Sequence, residues 1–216
     1  MTSRVLALVA AAGRRFVALL DALVRRAAGI FEFSDDPACL LRLGLARSHA
    51  GVVLSDGTVV RPGDWVGQFH LWNEHIPRME ATGPDLTWGV KFYRGMMGSL
   101  RMLTTYVEAD GRFTSVPAFH GEVAVLQEED VPAAVQLFKR LGFDTQEPQA
   151  PTNWLWRFVR FWEGLYTWWL MWAYQPASLQ RRSFRHLVRF DMWISRTELL
   201  RRFGSGKEAG TDAMRR

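Results

Sequence analysis

The densest group of chemistry-bearing side chains is the run His70-Leu71-Trp72-Asn73-Glu74-His75. Its two imidazoles, with an amide and a carboxylate between them, offer ring nitrogens for proton transfer near neutral pH or for metal ligation. A second histidine and carboxylate, His120 and Glu122, flank Gly121. Brought together by the fold, His70, His75, His120 and Glu122 would form a His/carboxylate metal set. Their spacing fits no standard zinc pattern, and a turn held by Asn73 and Glu74 at a strand end accounts for the first run without a metal. Cys39 and His70 would make a thiol–imidazole pair, but Cys39 lies in an apolar run and reads as a buried core thiol. Arg94 and Arg101 share one helix face, suited to pairing with carboxylates or to an anionic headgroup or sugar phosphate. The candidate pocket is therefore His70, Trp72, Asn73, Glu74, His75, Arg101, His120 and Glu122. His70 and His120 are its acid/base candidates. No nucleophile-plus-base spacing and no cofactor fingerprint is present, so neither metal nor cofactor is expected.

The elements that position these residues follow from periodicity. Cys39 to Ala46 is a mostly apolar strand. Val52 to Leu54 and Val59-Val60 flank Ser55-Asp56-Gly57-Thr58, and Asp-Gly between apolar pairs predicts a hairpin with a primed turn and Gly57 at positive φ. After the turn Pro62-Gly63-Asp64, Trp65 to Leu71 alternates as a third strand and ends on His70. Asp85 to Val107 reads as a helix, Pro117 to Leu126 as a strand, and Val131 to Leu141 as a helix closed by Gly142. Helix, hairpin strands, helix, strand, helix make an α+β fold: a small, mostly antiparallel sheet with packed helices.

Charge divides the 216 residues further. Residues 1–30 carry five arginines against Asp21, residues 31–150 ten basic against sixteen acidic residues, and residues 151–203 nine arginines against three acids. Seven of the ten tryptophans lie in 151–203. This predicts an N-terminal amphipathic helix (1–30), an acidic α+β body (31–150), a Trp/Arg-rich helical hairpin (151–203) and a disordered tail (204–216). Residues 4–28 place Arg4, Arg14, Arg15, Asp21, Arg25 and Arg26 within an arc of about 140°, opposite Val5, Val9, Phe16, Leu19, Leu20 and Leu23. Packing of that apolar stripe on the body's own core is the competing arrangement. Met1 to Ala12 also has the pattern of a short signal peptide. Trp154 to Tyr174 puts Arg157, Arg160, Glu163 and Thr167 within about 120°, with Trp154, Phe158, Phe161, Trp162, Leu165, Trp169 and Trp172 on the other side. A second helix from Leu179 to Phe203 would align Arg181, Arg182, Arg185, Arg189 and Arg196.

Indole rings and guanidinium groups on neighbouring faces suit a bilayer interface. The membrane-binding set is thus Trp154, Arg157, Arg160, Trp162, Trp168, Trp169, Trp172, Arg181, Arg185, Arg189 and Arg196. The apolar window Gly164 to Tyr174 is too short for a transmembrane helix, which takes about 20 residues. Nucleic acid is disfavoured as a partner, because the tryptophans are not interleaved with the arginines. A single cysteine excludes an intramolecular disulfide.

Residues from about Asp36 to Pro148 resemble the YkoP-like domain of bacteria. The landmarks are Cys39-Leu40-Leu41-Arg42, Leu54-Ser55-Asp56-Gly57-Thr58, and Pro62-Gly63-Asp64 leading into His70-Leu71-Trp72-Asn73. Ser99-Leu100-Arg101, Gly121-Glu122 and Leu141-Gly142-Phe143 follow in order. The resemblance implies an accessory domain beside polysaccharide deacetylase-like or glycosyltransferase-like proteins, and carries no catalytic residue over. It also implies that the strand holding His70 neighbours the Pro117–Glu122 segment, so that His70, Asn73 and His120 share one pocket. Composition and resemblance together lead to the expectation of a peripheral protein on the cytoplasmic face of the membrane. Its partners would be the anionic surface, an envelope glycan or lipid, and a protein at the C-terminal helices. The alternative is a hydrolase or transferase acting on a membrane-embedded lipid or glycan.

Overall fold

Strands that alternate apolar and polar residues must bury one face, and here five of them do so together. The computed structural model describes residues 2–80, 84–125, 128–146, 154–179 and 187–204, with residues 2–7, 155, 156 and 160 given as backbone alone. Strands β1 (Leu41–Arg47), β4 (Trp65–Leu71), β5 (Ala118–Val125), β7 (Val188–Ser195) and β6 (Asp144–Gln146) lie side by side in that order. All neighbours are antiparallel except β4 and β5. A parallel pair needs a crossover connection, which α2 (Leu86–Ala109) supplies from its Asp85 cap. The fold is α+β, as expected.

The apolar face of the sheet carries Leu41, Leu43, Phe69, Phe119 and Met192. Against it pack Phe92, Met96, Leu100 and Leu103 of α2, Phe138 of α3 (Val131–Arg140), and Leu199 and Phe203 of α5 (Arg196–Phe203). Two glycines let the aromatic rings lie flat on the neighbouring strand. A Cβ at Gly67 would stand 2.2 Å from Phe119, and one at Gly121 2.5 Å from Phe69.

The other face is covered by two units. The hairpin of β2 (Val52–Val53) and β3 (Val59–Val60) joins Val52, Leu54 and Val60 to Val66, Ala118 and Trp193 in a second apolar cluster. Beside it run α1 (Thr2–Ala27) and α4 (Trp154–Tyr174), packed antiparallel: Gly13 lies under the Trp172 ring, and the Tyr166 hydroxyl donates to Asp21 at 2.5 Å. Among the described residues, neither apolar cluster contains a residue of α1 or α4. Among those described, Asp21 and Val17 are the two buried side chains that α1 presents inward, so polar groups share this seating with apolar ones.

Three expectations need correction. The helix proposed from Leu179 to Phe203 is instead a short 3-10 turn (Pro176–Leu179), strand β7 and helix α5, while residues 180–186 lie outside the described residues. Phe190, Met192 and Ile194 alternate with Arg189, Asp191 and Trp193, and a strand between β5 and β6 buries the first set with Trp193 and leaves Arg189 and Asp191 half-buried. Helical spacing of the arginines was the weaker signal. The sheet is accordingly incomplete within 31–150, because β7 comes from beyond that span. Finally, the hairpin loop is closed by Gly57 N–H to Leu54 C=O and Leu54 N–H to Thr58 C=O, both 2.9 Å. That pattern is a three-residue loop with its glycine in the left-handed region, not a two-residue primed turn. Gly57 has φ +84° as expected. The proposed tail lies outside the described residues apart from Gly204.

Candidate functional site

Side chains alternate across a strand, so one sheet face collects every second residue of each strand. On the face away from the main core these are Arg42 on β1, Gln68 and His70 on β4, His120 and Glu122 on β5, and Arg189, Asp191 and Trp193 on β7. The register pairs Arg42 with His70, Gln68 with His120, and Glu122 with Asp191. Continuing the β4–β5 register by two residues sets His70 beside Glu122. A charged row therefore crosses the sheet beneath the α1–α4 pair.

At one end of the row stands Arg42, only 3% exposed between the apolar Leu41 and Leu43 of β1. It lies 3.9 Å from Asp21 of α1, 3.1 Å from Glu32 and 3.2 Å from Glu74, with its guanidinium 4.6 Å above the Trp72 ring. Asp21 is also held by Arg25 at 2.8 Å. Burial and the bond to Asp21 push the Tyr166 phenol far above its ordinary range. A buried cation with several carboxylate partners is the arrangement that tolerates desolvation.

At the other end, His120 Nε2 lies 3.0 Å from an Asp191 carboxylate oxygen, with both side chains about one-fifth exposed. The His120 ring packs on Trp193 at 4.3 Å. A carboxylate against one ring nitrogen fixes the tautomer and leaves the other nitrogen to accept a proton. Arg189 bridges the sheet to α4, at 2.6 Å from Glu122, 3.6 Å from Glu163 and 3.1 Å from the Thr167 hydroxyl.

Between these ends sits His70. Its Nε2 is buried and meets no hydrogen-bond partner among the described residues. Burial above all, then the neighbouring His120, pushes its pKa down to about 4. The imidazole is thus held neutral in a setting that penalises its charged form.

His70 and His120 come to one face, as the resemblance implied. The remaining candidates divide. Glu122 and Glu74 join the row through Arg189 and Arg42. His75 turns away, with Nδ1 2.8 Å from the Cys39 carbonyl and its ring stacked on Trp72 at 3.8 Å. Asn73 lies in the turn after β4. Arg101 is exposed on α2, across the sheet from both histidines, because α2 covers the apolar face. Cys39 is fully buried in the main core, and burial pushes its thiol up; it does not meet His70. Two clefts of about 330 and 430 Å³ are lined by Ser55, Asp56, Asp144 and Ser195, and by Val131, Val135, Val188 and Phe190. Neither includes His70, Asn73 or His120, so the common cavity expected of these three is not formed there. No group of three or more metal-ligating side chains occurs among the described residues.

The membrane set divides as well. Trp154, Arg157 and Trp162 are exposed, whereas Trp168, Trp169 and Trp172 are half-buried. Arg160 has no described side chain, and Arg181 and Arg185 lie outside the described residues. Arg189 and Arg196 do not share a helix face: Arg189 is tied to Glu122 on β7, and Arg196 opens α5 with its N–H on the Pro117 carbonyl at 2.9 Å. Among the described residues no helix is long and apolar enough to cross a membrane.

Sequence reasoning missed Asp21, Arg42, Tyr166 and Asp191 as parts of one site. Two signals were present: a lone arginine inside the apolar run Cys39–Ala46, and a lone acid on an arginine-rich helix face. Asp191 was hidden by reading β7 as helix.

No curated protein and no solved structure matches the chain. The YkoP domain does match, over residues 14–203. The match takes in α1 from Arg14, all of α4, β7 and α5, so the flanks set apart from the resemblance are inside it. The chain belongs to the YkoP domain family.

Proposed function

We propose that the protein is a peripheral membrane-associated accessory or binding protein, seated on an anionic leaflet through the outer face of α1 and α4. The reading extends to the cytoplasmic side of the membrane and to envelope lipid or glycan metabolism, the setting the family resemblance implied. One observation carries it. The apolar stripe of α1 faces away from the body, with Leu8, Val9, Phe16, Leu19 and Leu23 each more than 60% exposed. These five span about 100° of the helix. On α4, Trp154, Phe158 and Trp162 are also exposed, at 76, 54 and 49%. The inward sides of the two helices carry Asp21, Tyr166 and Thr167 together with the buried Val17.

A helix serving only its own domain buries its apolar stripe and shows its charges. Here most of the apolar stripe of α1 is exposed too, and exposed Arg14, Arg15, Arg26 and Arg157 stand around it. Exposed apolar patches mark interaction surfaces, and each basic residue near an anionic leaflet adds about 1 kcal/mol. The test is flotation of the full chain with vesicles of phosphatidylcholine alone or with 30 mol% phosphatidylglycerol. Binding to the anionic vesicles that weakens with salt supports the reading; equal recovery from neutral and anionic vesicles, or no binding to either, opposes it.

The His120–Asp191 pair favours a second reading, a hydrolase or transferase on a lipid or glycan. In that reading His120 is the acid/base and Asp191 orients it.

A further inference from the structure

The seating of α1 and α4 is unlike the rest of the fold. The sheet's main face is sealed by apolar side chains from three helices, whereas the α1–α4 pair contributes none to either apolar cluster among the described residues. Among the described residues its contacts to the sheet include the Asp21–Arg42 pair and the Arg189 contacts to Glu163 and Thr167, beside the buried Val17 of α1. Polar contacts of this kind gain little net free energy when water is the alternative partner, so the cover is held more weakly than the core beneath it. His70 stands under this cover with a buried, unpartnered ring nitrogen.

We propose that the α1–α4 pair is an acid-released cover: uptake of a solvent proton by His70 lifts the pair and uncovers the His70–His120–Asp191 row. The groups facing His70 set the direction. Arg42 on β1 and His120 on β5 oppose a second positive charge, while Asp21 on α1 and Glu122 on β5 favour it; burial outweighs them all. Glu74 on the turn after β4 is occupied by Arg42, and Tyr166 on α4 is occupied by Asp21. Lifting the cover returns His70 to water, where its proton is held at the ordinary value near 6.5 rather than about 4. Between pH 7.5 and pH 5.0 that difference multiplies the ratio of lifted to seated molecules by about 30-fold. The inference stands apart from the membrane reading, since it requires no bilayer.

The test uses the full chain without lipid. Spin labels on Leu19→Cys, outside α1, and Arg101→Cys, outside α2, report the distance across both layers by pulsed electron resonance; the native Cys39 is buried and stays unlabelled unless the whole fold opens. A single narrow distance at pH 7.5 and a longer second component at pH 5.0, with Cys39 still unreactive, are expected. The second component should vanish in His70→Gln, or in His70→Asn if the first variant does not fold. An unchanged distance distribution at pH 5.0, a second component that persists without His70, or release accompanied by Cys39 labelling would each overturn the proposal.

Discussion

Replacing Arg42 by Met removes the cation that ties α1, the Glu32 segment and the turn after β4 to strand β1. Its three carboxylate partners do not lose equally. Glu32 and Glu74 have side chains 43 and 33% exposed and can turn to water, whereas Asp21 is 5% exposed and cannot. Removing one member of a buried pair costs about 3–5 kcal/mol. Asp21 keeps Arg25 and the Tyr166 hydroxyl, which places the loss near the lower end, about 3 kcal/mol. For a chain of this length that corresponds to a fall in Tm of about 6–12 °C. Because the penalty comes from the stranded carboxylate, Arg42→Met should cost less in an Asp21→Asn background, with a coupling of about 1–2 kcal/mol. Urea unfolding of the four proteins of this cycle measures both quantities. A loss below about 1 kcal/mol, or strict additivity, would refute the description of this network as one buried unit.

Gly57→Val should lower stability by about 1–2 kcal/mol, since φ +84° is a left-handed conformation that a β-branched residue resists; thermal unfolding checks it. Gly67→Ala should cost about 1–3 kcal/mol or more, because the new Cβ would overlap the Phe119 ring and the packed strand cannot yield freely. Gly98→Ala, with open space around its Cβ position, is the control and should be neutral or stabilising. His70 should make stability pH-dependent in a defined window. Its folded pKa of about 4 lies below the ordinary 6.5, so its contribution is complete above about pH 6.5 and is lost as pH falls towards 4. From pH 7.5 to 5.0 the loss from this group is about 2 kcal/mol. In His70→Gln that part of the pH dependence should disappear from the urea-unfolding profile.

Elements with strong local signals were legible in the sequence. Trp154–Tyr174 was delimited by its amphipathic pattern and Pro176, and α2 was marked by its recurring apolar residues. The Asp56-Gly57 turn was marked by the residue that its backbone requires, although the loop type was not. What failed to show was non-local. Strand β7 satisfies a helical spacing of arginines and a strand alternation at once, and only its place between β5 and β6 decides between them. Strand β6 is three residues long and carries too few side chains for any period to appear. The polar row was half visible. His70, His120, Glu122 and Glu74 were named for their chemistry, but Asp21, Arg42 and Asp191 become partners only through the sheet register and the docking of α1. The outward apolar stripe of α1 was legible as a stripe; its direction was not, because a helical period is the same whichever side meets the body.

Whether the outer face of α1 and α4 meets an anionic bilayer is read from where a polarity-sensitive probe enters hydrocarbon. A nitrobenzoxadiazole label on Leu19→Cys or on Trp162→Cys, with Arg101→Cys on the opposite layer as reference, is read with and without vesicles containing phosphatidylglycerol. A blue-shifted, brighter emission is expected at positions 19 and 162 and none at 101. A shift at 101 alone, or no shift at 19 and 162 while the protein floats with the vesicles, would contradict the bilayer contact.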